Sequence, residues 1–360
     1  MTLNHSIVID VLAHDELPQV QEFIRDHWGK DHILAHERSV FDWQHRGRYA
    51  YHYMVARQGE ALVGIQGVIP LGQFDSHLPK TQIFLALWKV LEDRGIGIGL
   101  RLYESILKEY QPEFIGSVGI DPRAVPLHEW QGFTVGVMDH HVALSPFVEE
   151  FKIARVPSDL KPQARKGPCS ITCQKLTQTD LQGLDTERLY LQQCPLKSDA
   201  YIRNRFMNHP VYTYDVYAIS REKTLQALCV IRAIRKEDSV VLRLVDFIGP
   251  NEAVPLLHDL VTDLLKTSHA EYLDMYSHGI PSTLIEGAGF IDRRRTEGLI
   301  VPNWFEPFAR RNVDIICAHR GSPTPSKVRL FKADGDQDRP NRIDRTVQES
   351  NTDGLSRITA

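Results

Sequence analysis

Arg94-Gly95-Ile96-Gly97-Ile98-Gly99 stand between a continuous apolar run and an amphipathic segment. The run is Thr81-Gln82-Ile83-Phe84-Leu85-Ala86-Leu87-Trp88-Lys89-Val90. The segment carries Leu100, Tyr103, Ile106, Leu107 and Tyr110 at helical spacing. A strand that ends in closely spaced glycines and opens a helix is an anion site. Its glycines let successive backbone N–H groups converge, and the helix N-terminus adds partial positive charge. The chemistry on offer is therefore phosphate binding. A P-loop needs a lysine and a hydroxyl residue after its last glycine, but Leu100-Arg101 follows Gly99. A dinucleotide fingerprint needs a glycine three positions after its second one. Gly97 is followed by Ile98, Gly99 and Leu100, so that pattern fails as well.

A third pattern fits: arginine or glutamine, two residues, glycine, one residue, then glycine or alanine. On these residues the stretch resembles the coenzyme A signature of the GNAT N-acetyltransferase superfamily. Ala124-Val125-Pro126-Leu127-His128-Glu129-Trp130-Gln131-Gly132-Phe133 resembles that superfamily's next block, which ends in Gly-Phe. The resemblance implies acyl-CoA as cosubstrate, with coenzyme A held by Arg94, Gly95, Ile96, Gly97, Ile98 and Gly99. It also implies two splayed parallel strands, here 83–90 and 114–120, with the pantetheine arm between them. A backbone N–H at a bulge in the first strand then polarises the acyl carbonyl. That amide is expected at Lys89 or Val90.

Acyl transfer to an amine needs a neutral nucleophile, a destination for one proton and an acid for the departing thiolate. In the superfamily a tyrosine follows the block's leucine and is that acid. Here His128 follows Leu127. A histidine can donate or accept near neutrality, so His128 is a candidate for either role, or a surface residue at the start of a short helix. Asp121 ends the strand beside the expected cleft. His32 and Trp43 lie on the stretch that covers the acceptor in GNAT folds. Trp43 would stack on a base or sugar, or fill the core.

Elements must bring these residues together. Residues 7–11 read as a strand and 15–28 as a helix with Leu17, Val20, Phe23 and Ile24 on one face. A hairpin over 53–56 and 62–69, the central strand 83–90, its helix, the strand 114–120, a short helix at 124–131 and a last strand 137–144 follow. The second half repeats this rhythm. It has a strand at 170–176, a helix at 180–193, a hairpin at 216–219 and 225–232, and the apolar strand 240–248. A helix through Leu256, Leu260 and Leu264, a strand at 272–276 and Gly289-Phe290 complete it. Gly249-Pro250 replaces the glycine run, and Pro250 has no N–H to offer an anion. Asp246 and His278 end strands of this half, where α/β folds open their clefts.

The expected class is therefore α/β (α+β), with tandem GNAT-like domains, each a mixed central sheet flanked by helices, the second degenerate. Residues 1–145 form the acyl-CoA domain. A linker of 146–169, with Pro146, Pro157, Pro162 and Pro168, precedes a domain of 170–345 that shapes the acceptor site. The chain is read as polar from Gly321, with a flexible tail at 346–360.

The sequence has 42% hydrophobic residues and a formal net charge of -4, which argues against a nucleic-acid partner. It opens without a signal peptide and has no membrane-length apolar run, so a soluble, cytoplasmic protein is expected. Five cysteines without finger-like spacing predict no metal site and fit a reducing compartment. A homodimer is left open.

Four stretches resemble a narrower group, the bacterial GNAT-type N-acyltransferases of nucleotide-linked amino sugars. They are His32-Ile33-Leu34-Ala35, Phe41-Asp42-Trp43-Gln44, Asn303-Trp304-Phe305-Glu306-Pro307-Phe308 and residues 334–341. That resemblance implies transfer of a 3-hydroxybutyryl group, otherwise acetyl, to the amine of a dTDP-linked 3-amino-3,6-dideoxyhexose, as in O-antigen (lipopolysaccharide) biosynthesis. Asn303, Trp304 and Phe305 would then meet thymine, and Arg339 or Arg293 to Arg295 the diphosphate. The alternatives are acylation of a peptide, lysine or other small amine, and a non-catalytic acyl-CoA-binding module.

Overall fold

The computed structural model describes residues 6–92, 97–162, 171–321 and 324–342. Alternating and continuous apolar runs give strands β1 (Ile7–Val11), β2 (Tyr53–Gln58), β3 (Ala61–Pro70), β4 (Gln82–Val90), β5 (Phe114–Val118) and β6 (Thr134–Val137). Then come β7 (Asp139–Leu144), β8 (Ile171–Leu176), β9 (Asp215–Arg221), β10 (Thr224–Lys236), β11 (Ser239–Ile248), β12 (Tyr272–His278) and β13 (Ile291–Asp292). The last are β14 (Trp304–Phe305), β15 (Phe308–Ala309), β16 (Ile316–Arg320) and β17 (Leu330–Phe331). The helices are α1 (Leu17–His27), α2 (Ile33–His36), α3 (Arg38–His45), α4 (Ile98–Tyr110) and α5 (Val125–Trp130) in the first half. The second half has α6 (Gln178–Gln182), α7 (Glu187–Tyr190), α8 (Asp199–Ile202), α9 (Leu257–Ser268) and α10 (Ser282–Gly287).

Two mixed sheets result, in the orders β1-β2-β3-β4-β5-β16-β6 and β13-β7-β12-β11-β10-β9-β8. Each has one parallel pair at its centre, β4 with β5 and β11 with β12. Helix α4 packs on the first sheet through Ile98, Leu102, Tyr103 and Ile106. Helix α9 covers the second through Leu257, Leu260, Val261 and Leu265. The opposite faces meet in one shared core, where Phe84 and Phe114 join Val230, Val245 and Tyr276. Burying side chains of this size stabilises by roughly 1.5–3 kcal/mol each, which binds the two halves to each other.

The sheets do not follow the two sequence halves. The strand expected at 137–144 is two strands, broken at the fully buried Met138. Strand β6 pairs with β16 in the first sheet, whereas β7 pairs with β12 in the second. Strand β16, from the far end of the chain, sits between β5 and β6. Each sheet thus receives, beside its parallel pair, a strand from the other half. The helix expected at 180–193 is likewise divided. A Thr177–Asp180 capping box starts α6, which ends at Gly183, and α7 begins after a turn.

From Val328 the polar tail expected after Gly321 is a largely buried segment instead. Residues Lys332, Asp334, Asp336 and Asp338 are each under 9% exposed. Their backbone occupies the split of the second sheet. Strand β17 pairs with the end of β12, and the Ala333 amide donates to the Val245 carbonyl on β11 (3.1 Å). Among the described residues no helix is long and apolar enough to cross a membrane.

Candidate functional site

Strand β4 pairs in parallel with β5 only from Gln82 to Leu85, opposite Phe114 to Ser117. Beyond that the two strands separate, while β4 continues to Val90 along β3. On that side the register slips between Gln66 and Val68, opposite Trp88 and Leu85. One extra residue, at Ala86–Leu87, therefore bulges out of β4. A bulge frees backbone groups from the ladder at the point where the wedge opens. The bulge was expected nearer Lys89 or Val90. Those residues pair regularly with Ile65 and Gly64 and extend along the wall of the wedge.

The wedge leads to the start of α4. Gly97 caps the helix at φ +89°, a conformation suited to glycine, and no side chain caps this end. A β-carbon at Gly97 would meet nothing within 4 Å among the described residues. The first-turn amides of Ile98, Gly99 and Leu100 have no partner within an α-helix, and none is seen among the described residues. The Trp88 ring lies over Gly99, and its buried Nε1–H has no partner among the described residues. Arg94, Gly95 and Ile96 lie outside the described residues.

His128 approaches this wall from α5, on the face that carries α4. Its ring packs edge-on against Phe133 and Trp88, at 5.1 and 6.4 Å between centroids. Nδ1 donates to the Ala124 carbonyl (2.9 Å). The neutral ring therefore keeps its lone pair on Nε2. Burial lowers the pKa, partly offset by that hydrogen bond.

Asp121 and Asp246, two strand-end carboxylates singled out in the sequence, both have partners within the fold. Asp121 caps the turn after β5 and pairs with Arg123 (3.0 Å), whose hydrogen bonds hold its carboxyl down at about 2. It is a weak base. Asp246 is fully buried on β11, 2.5 Å from Lys197 Nζ, which also binds Asp334 (3.1 Å). Burial opposes the charge on Lys197, but the two carboxylates outweigh it and raise its pKa.

The sequence-derived acceptor residues separate into two groups. Asn303, Trp304, Phe305 and Arg339 line one pocket together with Tyr212, Arg232, Arg243, Glu306, Lys332, Gln337, Asp338 and Asn341. The enclosed cavity is small, about 30 Å³, and it opens to solvent. Trp43 is elsewhere. It donates from Nε1 to the Asn204 carbonyl (3.2 Å) and is wedged among Phe74, His209 and Arg205. It therefore joins the halves, partly buried among these groups. His32 sits at the start of α2 beside the end of the buried segment, where Ile33 N donates to Asn341 O (2.8 Å). Burial and the Arg339 charge lower its pKa. His278 lies against Gly136 and His319 and does not line the pocket. Arg293, Arg294 and Arg295 are paired with Asp314, Asp139 and Glu286.

Gln337 links pocket and wedge. It lines the pocket, and its side chain lies so close to Gly119, just past β5, that a β-carbon there would be 2.1 Å from Nε2. Lys332, Arg232, Tyr212 and Gln337 were not read from the sequence. The charge alternation of 332–338 looks like a solvated tail until its partners are known.

A parallel pair that splits at a β-bulge and feeds an uncapped helix, present beside a second such sheet, is the geometry that decides the fold. No protein-family model matches the chain, and no curated protein matches it. Solved structures do. A GCN5-related N-acetyltransferase from Anabaena variabilis ATCC 29413 aligns over 88% of this chain and 72% of its own, at 13% identity and a TM-score of 0.55. The chain has the GNAT fold. A conserved protein of Enterococcus faecalis V583 aligns over 88% and 72%, at 9% identity and a TM-score of 0.51. The glucosamine N-acetyltransferase region of a fungal multi-domain GH3 beta-N-acetylglucosaminidase aligns over 89% of this chain and 38% of its own, at 11% identity and a TM-score of 0.50. In this GNAT fold the second sheet keeps the split and a bulge at Val245, between Val230 and Ile231 of the neighbouring strand. Its wedge is filled by the chain's own residues 330–333.

Proposed function

We propose that the protein is an acyl-CoA-dependent N-acyltransferase whose donor site is the wedge between β4 and β5. The observation that carries this reading is the conjunction of the Ala86–Leu87 bulge, the split after Leu85 and the uncapped N-terminus of α4. The helix amides fit the pyrophosphate of coenzyme A, and Arg94 to Gly99 would complete the turn. The wedge walls, Lys89 and Val90 among them, fit the pantetheine arm. A freed amide at the bulge suits an oxygen on which charge develops.

The amine nitrogen forms the new C–N bond as the thioester C–S bond breaks. His128 takes the proton lost by nitrogen at Nε2 and returns it to the departing sulfur, giving amide and free thiol. In this scheme Asp121 and Asp246 hold the scaffold around the site.

The acceptor reading is a dTDP-linked 3-amino-3,6-dideoxyhexose, receiving a 3-hydroxybutyryl or an acetyl group. The pocket at Asn303, Trp304, Phe305 and Arg339 supports it, because aromatic and cationic groups there adjoin the wedge through Gln337. His32 borders this region, whereas Trp43 and His278 shape the protein behind it. Thiol release from acetyl-CoA and 3-hydroxybutyryl-CoA, measured with dTDP- and UDP-linked amino sugars, free amino sugars and peptide amines, tests the reading. Release with the dTDP-linked amino sugar is expected. Release with peptide amines alone would establish the peptide reading, and release with no amine would leave a binding module.

A further inference from the structure

The pocket between β14 and residues 332–341 has an imbalance of hydrogen-bonding groups. Arg243 is neutralised by Asp274 (2.6 Å), and Arg232 by Asp338 (2.8 Å). Arg339 reaches Asp336 at 3.6 Å. Lys332 is 3% exposed and forms no salt bridge among the described residues. Its ammonium donates once, to the Gln337 carbonyl (3.2 Å), and sits 5.8 and 5.9 Å from the Tyr276 and Trp304 rings. Among the described residues, four further buried nitrogens of the lining have no partner: Arg232 Nε, Asn303 Nδ2, Arg339 Nε and Arg339 Nη1. Asn303 is oriented by accepting at Oδ1 from Arg243 Nη1 (3.2 Å), which leaves Nδ2 as the free end.

Buried N–H groups without acceptors are costly, and a buried ammonium without a counter-charge is more so. Every unpartnered atom in this lining is a donor. The two lining carboxylates are occupied, since Asp338 holds Arg232 and the Tyr214 hydroxyl, and Glu306 accepts from Asn341 N. An acceptor-rich, negatively charged group would complement this lining.

We infer that Lys332, Arg339 and Asn303 form a diphosphate-binding subsite, with Trp304, Phe305 and Tyr212 as walls for the nucleoside attached to it. This rests on the reading of the pocket as the acceptor side. It assigns the diphosphate contact to Lys332 and excludes Arg293 to Arg295, which are engaged elsewhere. Burial and then the Arg243 charge push the Lys332 pKa down to about 7, and Asp338 offsets this only in part.

Binding decides the matter without turnover. Inorganic pyrophosphate, dTDP and thymidine are titrated calorimetrically into the full chain, each with saturating coenzyme A so that the α4 terminus is filled. dTDP should bind at least tenfold tighter than both pyrophosphate and thymidine. Lys332→Met, close in shape and without charge, should weaken dTDP and pyrophosphate at least tenfold, leave coenzyme A binding unchanged and leave the melting temperature no lower. Lys332→Arg should retain binding. The inference is overturned if wild type binds neither pyrophosphate nor dTDP, if thymidine binds as tightly as dTDP, or if Lys332→Met binds both anions like wild type. If Lys332→Met does not fold, the three wild-type affinities decide alone. dTDP binding without thiol release from any amine would sink the acyltransferase reading and leave this subsite standing.

Discussion

At the scale of single residues, the chemistry turns on whether His128 is a working base or a packed ring. Burial holds its pKa below the ordinary value of 6.5, so the ring stays neutral through neutral pH. A base of this kind is lost only as pH falls through its lowered pKa. The acid limb of kcat should therefore lie below 6.5. His128→Asn should cut kcat by about 10²–10⁴-fold and flatten that limb; an unchanged rate and profile would make the residue structural. The His128 position was legible because a motif fixes it between Leu127 and Gly132-Phe133. Asn303, Trp304, Phe305 and Arg339 were legible as residue types, and they do share a pocket. Lys332 was not. Its significance lies in having no counter-ion, and the groups that engage its neighbours Ala333, Asp334 and Asp338 are 128, 137 and 106 positions away.

At the scale of elements, apolar patterning located the central strands of both halves, 83–90 and 240–248, within a residue at each end. The bulge was beyond its reach, since one extra residue at Ala86–Leu87 is defined only against the register of β3. Strand β16 was missed although Ile315-Ile316-Cys317-Ala318 carries a strand's composition. The open end of α4 supports a direct test. Gly97→Asp places a carboxylate where the diphosphate of coenzyme A is proposed to lie, and Gly97→Asn adds a similar side chain without charge. Both strain the left-handed backbone alike. The Asp variant should raise the KM for acyl-CoA roughly 5–30-fold over the Asn variant, the effect of about 1–2 kcal/mol of helix-end electrostatics. Equal KM values would remove the helix terminus from the donor site.

At the scale of the whole molecule, the repeat legible in the sequence is a fold occurring twice, yet the two copies are interlocked. β7 and β16 cross between the sheets, and the shared core runs through Phe84, Phe114, Val230 and Tyr276. A break between residues 145 and 170 would separate strands from the sheets they complete, which pattern alone does not reveal. The second wedge differs from the first in its contents as well as its turn. Pro250 removes an amide, and β17 with Ala333 fills the space between β11 and β12. Lys197 fastens that filling by joining Asp246 of β11 to Asp334. Breaking such a buried pair costs about 3–5 kcal/mol, so the segment is an integral part of the second sheet. A single donor site per chain is therefore expected. Amide hydrogen exchange with and without saturating coenzyme A tests this most directly. The expected result is slowed exchange at 86–90 and 98–100 and no change at 245–250. Protection of 245–250, or none at 86–100, would contradict it.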